Sequence, residues 1–289
     1  MKDIEPLTTL FEVPAGPPLQ MPDEISRLYG PLYMPTHDGR PHVISDYVST
    51  LDGVVSLGAP SFPGAGASHG SPGDLINGLN AADQMVLALV HAVADVVLIG
   101  DVGVRGNPHD VRRADAIYPP LAKAFQQARQ GLGMPPQLPV AILSPEGGLD
   151  PAMPLFHVSG VRIAVITTES TAPGLLRRGF PKHVTLIPMP TRPDGLFSAR
   201  AVLTAVQAFQ PARLILSDAG PRFMAHLIAE HCLDELFLTI APQLAGRGET
   251  AHRPGLVQGK EFAPLDPRWA KLVSAKQAGH HLLLRYALN

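Results

Sequence analysis

Two periods organise the apolar residues of this chain. Continuous apolar runs of strand length, rich in β-branched residues, occur in "HVISDYVS", "DVVLIG", "LPVAILS", "VRIAVITT", "HVTLIPM" and "ARLILS", as expected of strands buried on both faces of a sheet. Helical spacing appears between them. "NAADQMVLALVHAVA" begins with capping chemistry at Asn80 and Asp83, and "PPLAKAFQQARQGLG" is opened by proline and closed by glycine. "TAPGLLRRG" and "SARAVLTAVQAFQP" are also helix-like. Strands alternating with helices predict an α/β fold with a largely parallel sheet covered on both sides. The last apolar stretches, "DELFLTIAPQLAG", "KLVSAKQAG" and "HHLLLRYAL", have no helical segment between them. They predict antiparallel strands added to that sheet.

Breaks in the pattern set the boundaries. Residues 1–36 are proline-rich and weakly periodic apart from the stretch Asp23–Tyr29, so they read as an N-terminal extension packed on a body of residues 37–289. Asp52-Gly53 is a turn signal, predicting a strand, a tight turn and a second short strand. "GAPSFPGAGASHGSPGD" reads as a functional or disordered loop. "DVGVRGNP" reads as a turn, and Ser217-Asp218-Ala219-Gly220-Pro221 breaks sharply between a strand and a helix.

Composition narrows the function classes. With 289 residues, 45% of them hydrophobic, the chain can bury one large core or two small ones. A formal charge of −2, without blocks of like charge, argues against a nucleic-acid partner. No apolar run reaches the roughly 18 residues of a membrane helix, and a lone cysteine, Cys232, forms neither an internal disulfide nor a multi-thiolate zinc site. A reducing, cytoplasmic setting fits. The 12 histidines include His280-His281, His226 with His231, and His109 beside Asp110, but no H-E-x-x-H, so the expectation is no metal. A deaminase H-x-E…P-C-x-x-C set and a hydrolase G-x-S-x-G elbow are also missing.

Ligands of open α/β sheets lie beyond the carboxyl ends of strands. Two turns have suitable composition there: Gly100-Asp101-Val102-Gly103 after "VVLI", and Asp218-Ala219-Gly220-Pro221 after "LILS". Asp46, on the same strand face as Val48 and Thr50, is a carboxylate inside an apolar strand and needs a partner, which favours a ligand-facing role. Asp52 is either a turn former or a substrate contact. Asp218 is either a helix cap or a ligand contact.

"RPHVISDYVSTLDG", "ADVVLIGDVGVRGNP" and "SDAGPRFMAHLIAEHCLDELFLTIAPQLAG" together resemble the reductase domain of bifunctional riboflavin-biosynthesis deaminase-reductases. The resemblance runs over about residues 40–288. It implies a dihydrofolate-reductase-like, three-layer α/β fold with a mixed, mostly parallel sheet, and NADPH-dependent reduction of a ribosylamino-pyrimidine phosphate or a related pteridine-like small molecule. It further implies a homodimer. Asp46, Thr50 and Asp52 would line the substrate side, with Asp46 and Asp52 as the catalytic candidates. Gly100, Gly103, Arg105, Asp218, Gly220 and Pro221 would line the cofactor side.

The first turn departs from the family pattern of glycine, small residue, glycine, threonine, since Asp101, Val102 and Gly103 follow Gly100. A carboxylate about 5 Å from a phosphate charge costs about 3 kcal/mol at an effective dielectric near 20, unless Asp101 points away. Val54 also replaces a basic residue. Two alternatives follow: a divergent member with weak or no reductase activity that binds a ligand or regulates, or a reductase using NADH or a deazaflavin.

Overall fold

The computed structural model describes residues 4–57, 73–108, 112–192, 195–248 and 253–288. Most of the glycine-rich loop, residues 58–72, lies outside the described residues. In chain order the elements are β1 (Thr8–Glu12), α1 (Asp23–Tyr29), β2 (His42–Ser49), α2 (Asp74–Asn77), α3 (Ala81–Val93), β3 (Val96–Gly100), α4 (Asp101–Gly106), α5 (Ala114–Ile117), α6 (Ala122–Gly131), β4 (Val140–Leu143), β5 (Ile163–Thr168), α7 (Ala172–Arg178), β6 (Val184–Met189), α8 (Ala199–Phe209), β7 (Leu214–Asp218), α9 (Pro221–Ala229), β8 (Glu235–Ile240), β9 (Lys271–Ala278) and β10 (His281–Ala287). None of the described helices is long and apolar enough to cross a membrane.

The strands form one sheet in the order β1-β9-β10-β8-β2-β7-β3-β4-β5-β6. From β8 to β6 neighbouring strands are parallel; β1, β9 and β10 are added antiparallel. β8 differs from expectation. It pairs parallel to β2, with Ser45 opposite Leu236, and antiparallel to β10, because α9 carries the chain from β7 across β2 in the manner of a βαβ crossover.

Alternation along the strands divides the core. Ile44, Val97, Ile99, Leu214 and Leu216 face α1, α3, α5 and α6, while Val43, Val96, Leu98 and Ile215 face α8 and α9. α3 forms where Asn80 accepts the amides of Ala82 and Asp83, and it buries ten of its thirteen residues, as a helix central to a layer must. The N-terminal residues do more than pack on the body: β1 is an edge strand against β9, and Ile25, Leu28, Tyr29 and Leu32 enter the core.

Two local expectations change. After Asp52-Gly53 the described residues, 54–57, form no second strand; Thr50 N–H donates to Val54 O (3.0 Å) and Val55 N–H to Pro254 O (3.0 Å). The tie to residue 254 replaces a hairpin. "DVGVRG", expected as a turn, winds into α4 directly after Gly100.

Candidate functional site

β3 and β7 are neighbours, yet their following helices leave toward opposite faces, since Val104 of α4 joins one core layer and Met224 of α9 the other. In open α/β sheets such divergence marks the carboxyl ends of the two strands as the place where a ligand crevice lies. Gly100 and Gly220 face each other across it: a methyl group on Gly100 would come to 4.0 Å from Gly220 N, and one on Gly220 would meet nothing within 4 Å. Burial lapses in the same place. Gly100 and Asp218 are the partly exposed ends of otherwise buried strands, and Asp46, Tyr47 and Val48 of β2 are partly exposed too.

The second turn is held from both sides. Tyr47 Oη donates to Ala219 O (2.6 Å) and Ser45 Oγ to Ser217 O (2.5 Å). Asp218 does not cap α9. Its Oδ2 lies 3.0 Å from His91 Nε2 of α3 and 3.6 Å from Arg112 Nη1. His91 Nδ1 contacts Leu87 O at 2.8 Å and must carry a proton there; the Asp218 contact is attractive when Nε2 is protonated as well. Burial pushes the Asp218 carboxyl up, but His91 and Arg112 outweigh it and hold the group below the usual carboxylate range. The start of α9 has Gly220 at its N-cap, no side-chain cap, and Pro221, which has no N–H, in its first turn; the Phe223 and Met224 amides close onto Gly220 O (2.9 and 3.1 Å).

Asp46 is the remaining carboxyl of this face. It makes no hydrogen bond among the described residues, and its acidity is suppressed by burial, then by the charges of Asp83 and Asp218, so its pKa lies well above the ordinary value. Asp83, bonded by Asn77 Nδ2 (2.5 Å), is itself shifted upward, mainly by burial. The result is a partly accessible carboxyl of suppressed acidity beside a turn whose own carboxylate is paired.

The other nominated residues separate into two groups. Asp52 accepts from Thr50 Oγ1 (2.6 Å), Ala245 N (3.0 Å) and Gly246 N (2.8 Å); these bonds pull its pKa down to about 2. Thr50 Oγ1 also accepts from Val54 N (2.9 Å). Both residues therefore hold the turn and the loop at 245–246, and they sit apart from the unpartnered Asp46 in role. Asp101 turns sideways into the protein, accepting from Ser144 Oγ at the end of β4 (2.9 Å), with Arg105 Nη2 3.8 Å away. Arg105 stays half exposed, and Gly103 faces Arg112, whose Nη2 is 3.5 Å from the place of a Gly103 Cβ.

The residues can accommodate a dinucleotide. Glycine at both turns leaves room for close backbone approach, Arg105 offers a cation, and Asp101 is engaged by Ser144. A model of the RibD C-terminal domain matches residues 41–284. The chain belongs to the RibD C-terminal domain family. RibD-type relatives of known structure share its fold: a pyrimidine reductase-like protein from Corynebacterium diphtheriae is 19% identical, with TM-score 0.62 over 92% of this chain and 98% of that one. A Thermotoga maritima diaminohydroxyphosphoribosylaminopyrimidine deaminase/5-amino-6-(5-phosphoribosylamino)uracil reductase is 16% identical, with TM-score 0.59 over 86% of this chain and 57% of that one. The riboflavin biosynthesis reductase of Saccharomyces cerevisiae is 13% identical, with TM-score 0.56, covering 89% and 93%. Among curated proteins none matches the chain.

His91, Asp83, Tyr47 and Arg112 were not apparent as site residues from the sequence. The histidine and Asp83 do carry a faint signal, as polar residues inside an apolar helical pattern; Arg112 carries none.

Proposed function

We propose that this protein is an NADPH-dependent reductase of a ribosylamino-pyrimidine phosphate, or of a related pteridine-like heterocycle, acting in riboflavin-type biosynthesis. The observation that carries the reading is the meeting of the Gly100 and Gly220 turns near a partly exposed Asp46 whose carboxyl has no partner among the described residues. The nicotinamide supplies the hydride. The chain's own contribution is alignment and protonation: the two turns and the start of α9 receive the cofactor's phosphates and ribose, Arg105 adds positive charge, and Asp46 presents a proton to the substrate heteroatom next to the reduced carbon. His91 and Arg112 position Asp218, which fixes the second turn. The test is oxidation of NADPH, followed by nicotinamide absorbance, with the ribosylamino-pyrimidine phosphate as substrate; turnover supports the reading, and tight NADPH binding without turnover leaves the substrate to be replaced.

A second reading keeps the fold and drops efficient reduction. It is favoured by Asp101, a carboxylate inside the first turn whose nearest cation among the described residues, Arg105, is 3.8 Å away. Parallel titrations with NADPH, NADH and a deazaflavin separate a changed cofactor from a lost one.

The protein acts as a homodimer in this proposal. Phe11, Leu272 and Leu282 are exposed, and the register places them on one face of β1, β9 and β10, an apolar surface that a second copy would cover.

A further inference from the structure

The end of the sheet opposite the crevice carries a second cluster. His37 lies in the segment that joins the N-terminal arm to β2, His42 is the first residue of β2, and Asp234 immediately precedes β8. His37 Nε2 is 3.1 Å from His42 Nδ1 and 3.1 Å from Asp234 Oδ1, and His42 Nδ1 is 3.8 Å from Asp234 Oδ2. Bonds of about 2.0–2.1 Å to a tetrahedral zinc ion place its ligands roughly 3.3–3.4 Å apart. The two 3.1 Å edges are slightly tighter than that, and the third, from His42 Nδ1 to the other carboxylate oxygen, is 3.8 Å. Without an ion the triangle is poorly satisfied, because His37 Nε2 holds one proton or one lone pair. It must share a single N–H between two acceptors, or accept from His42 while facing a carboxylate oxygen.

The surroundings are those of a metal's outer shell. His42 turns its other nitrogen, Nε2, toward Glu235 Oε2 at 3.5 Å, and both atoms are buried without a hydrogen-bond partner. Arg285 Nε fixes Glu235 in turn (2.7 Å). Asp234 is oriented by the Arg40 fork (2.7 Å to each oxygen) and by Val43 N (2.8 Å). An adjoining cavity of about 60 Å³, bounded in part by His42, Asp234, Glu235 and Arg285, is too small for an organic ligand. His37, with its side chain 32% exposed, leaves the cluster open on one side for entry.

We propose that His37, His42 and Asp234 form a zinc site that pins the N-terminal arm to the amino ends of β2 and β8. Its distance from the crevice along the strands makes it structural. Arg40 neutralises the one carboxylate ligand, so the site binds more weakly than a closed four-ligand one and keeps a position for water. No spacing motif could show it, since its ligands come from positions 37, 42 and 234.

The test uses the full-length chain without a histidine tag, stripped by chelator and titrated with Co²⁺ and then Zn²⁺. One ion per chain, a visible Co²⁺ absorption band displaced by Zn²⁺, and a rise in melting temperature are expected. His37→Ala, at a partly exposed position, should lose about a hundredfold or more in metal affinity, and His183→Ala at the exposed surface should change nothing. His37→Asn serves if the alanine variant misfolds by circular dichroism. No uptake by the parent chain, or uptake that survives the His37 substitutions, overturns the proposal.

Discussion

At the scale of single residues, the site depends on what each carboxylate has for company. Asp52 is bonded by three donors that pull its pKa down to about 2, whereas burial and two acidic neighbours raise that of Asp46 well above the ordinary value. Asp46→Asn should therefore lose roughly 10²–10⁴ in turnover, with NADPH affinity changed only a few-fold, and the parent's turnover should fall as pH rises through the raised pKa. Stability moves the other way. A folded-state pKa above the unfolded value of about 3.9 means that the folded chain binds the extra proton between the two values, so Asp46 costs stability as pH rises above about 4. The asparagine variant should match the parent in urea melts at pH 3 and exceed it at pH 8. Asp46 was legible in the sequence because a carboxylate within "HVISDYVS" conflicts with its setting. His91 and Arg112 were not, because their significance lies in a contact with Asp218, more than a hundred positions away in the chain.

At the scale of elements, the apolar pattern identified buried strands well, because a run such as "VVLI" admits few other placements. Strand direction was harder. β8 reads like β9 and β10, and only its pairing with β2 shows it to be parallel there. β1 was invisible, since "TTLFE" has four exposed residues and depends on its partner β9. What ties β1 down is polar: Lys276 Nζ, almost wholly buried, pairs with Glu12 Oε2 at 2.8 Å, lies 3.2 Å from Thr9 Oγ1 and sits over the Tyr29 ring at 4.9 Å. Glu12→Gln strands that ammonium and should cost roughly 3 kcal/mol in equilibrium urea unfolding. A loss below about 1 kcal/mol would show the arm to be held by its apolar contacts instead.

At the scale of the whole molecule, the helices after β3 and β7 pass to opposite faces, and no side chain of the described residues would crowd a methyl group placed on either Gly100 or Gly220 at that end of the sheet. The pair of turns was legible in the sequence, but the opposite routes of their helices, which create the crevice, follow from strand order. The same order leaves Phe11, Leu272 and Leu282 exposed together. Leu282→Asp with Leu272→Asp should convert a dimer to a monomer in sedimentation velocity, and a parent chain that sediments as a monomer would remove that proposal. The central claim is that a dinucleotide lies over the turns, and Gly100→Ala tests it most directly. The added methyl meets nothing nearer than Gly220 N at 4.0 Å, so the fold and its melting temperature should be unchanged, while a cofactor lying against that backbone would be displaced. Fluorescence titration should show saturable binding of one NADPH per chain, weakened about tenfold or more in Gly100→Ala; no binding to the parent at millimolar NADPH, or equal binding to both proteins, would contradict the account.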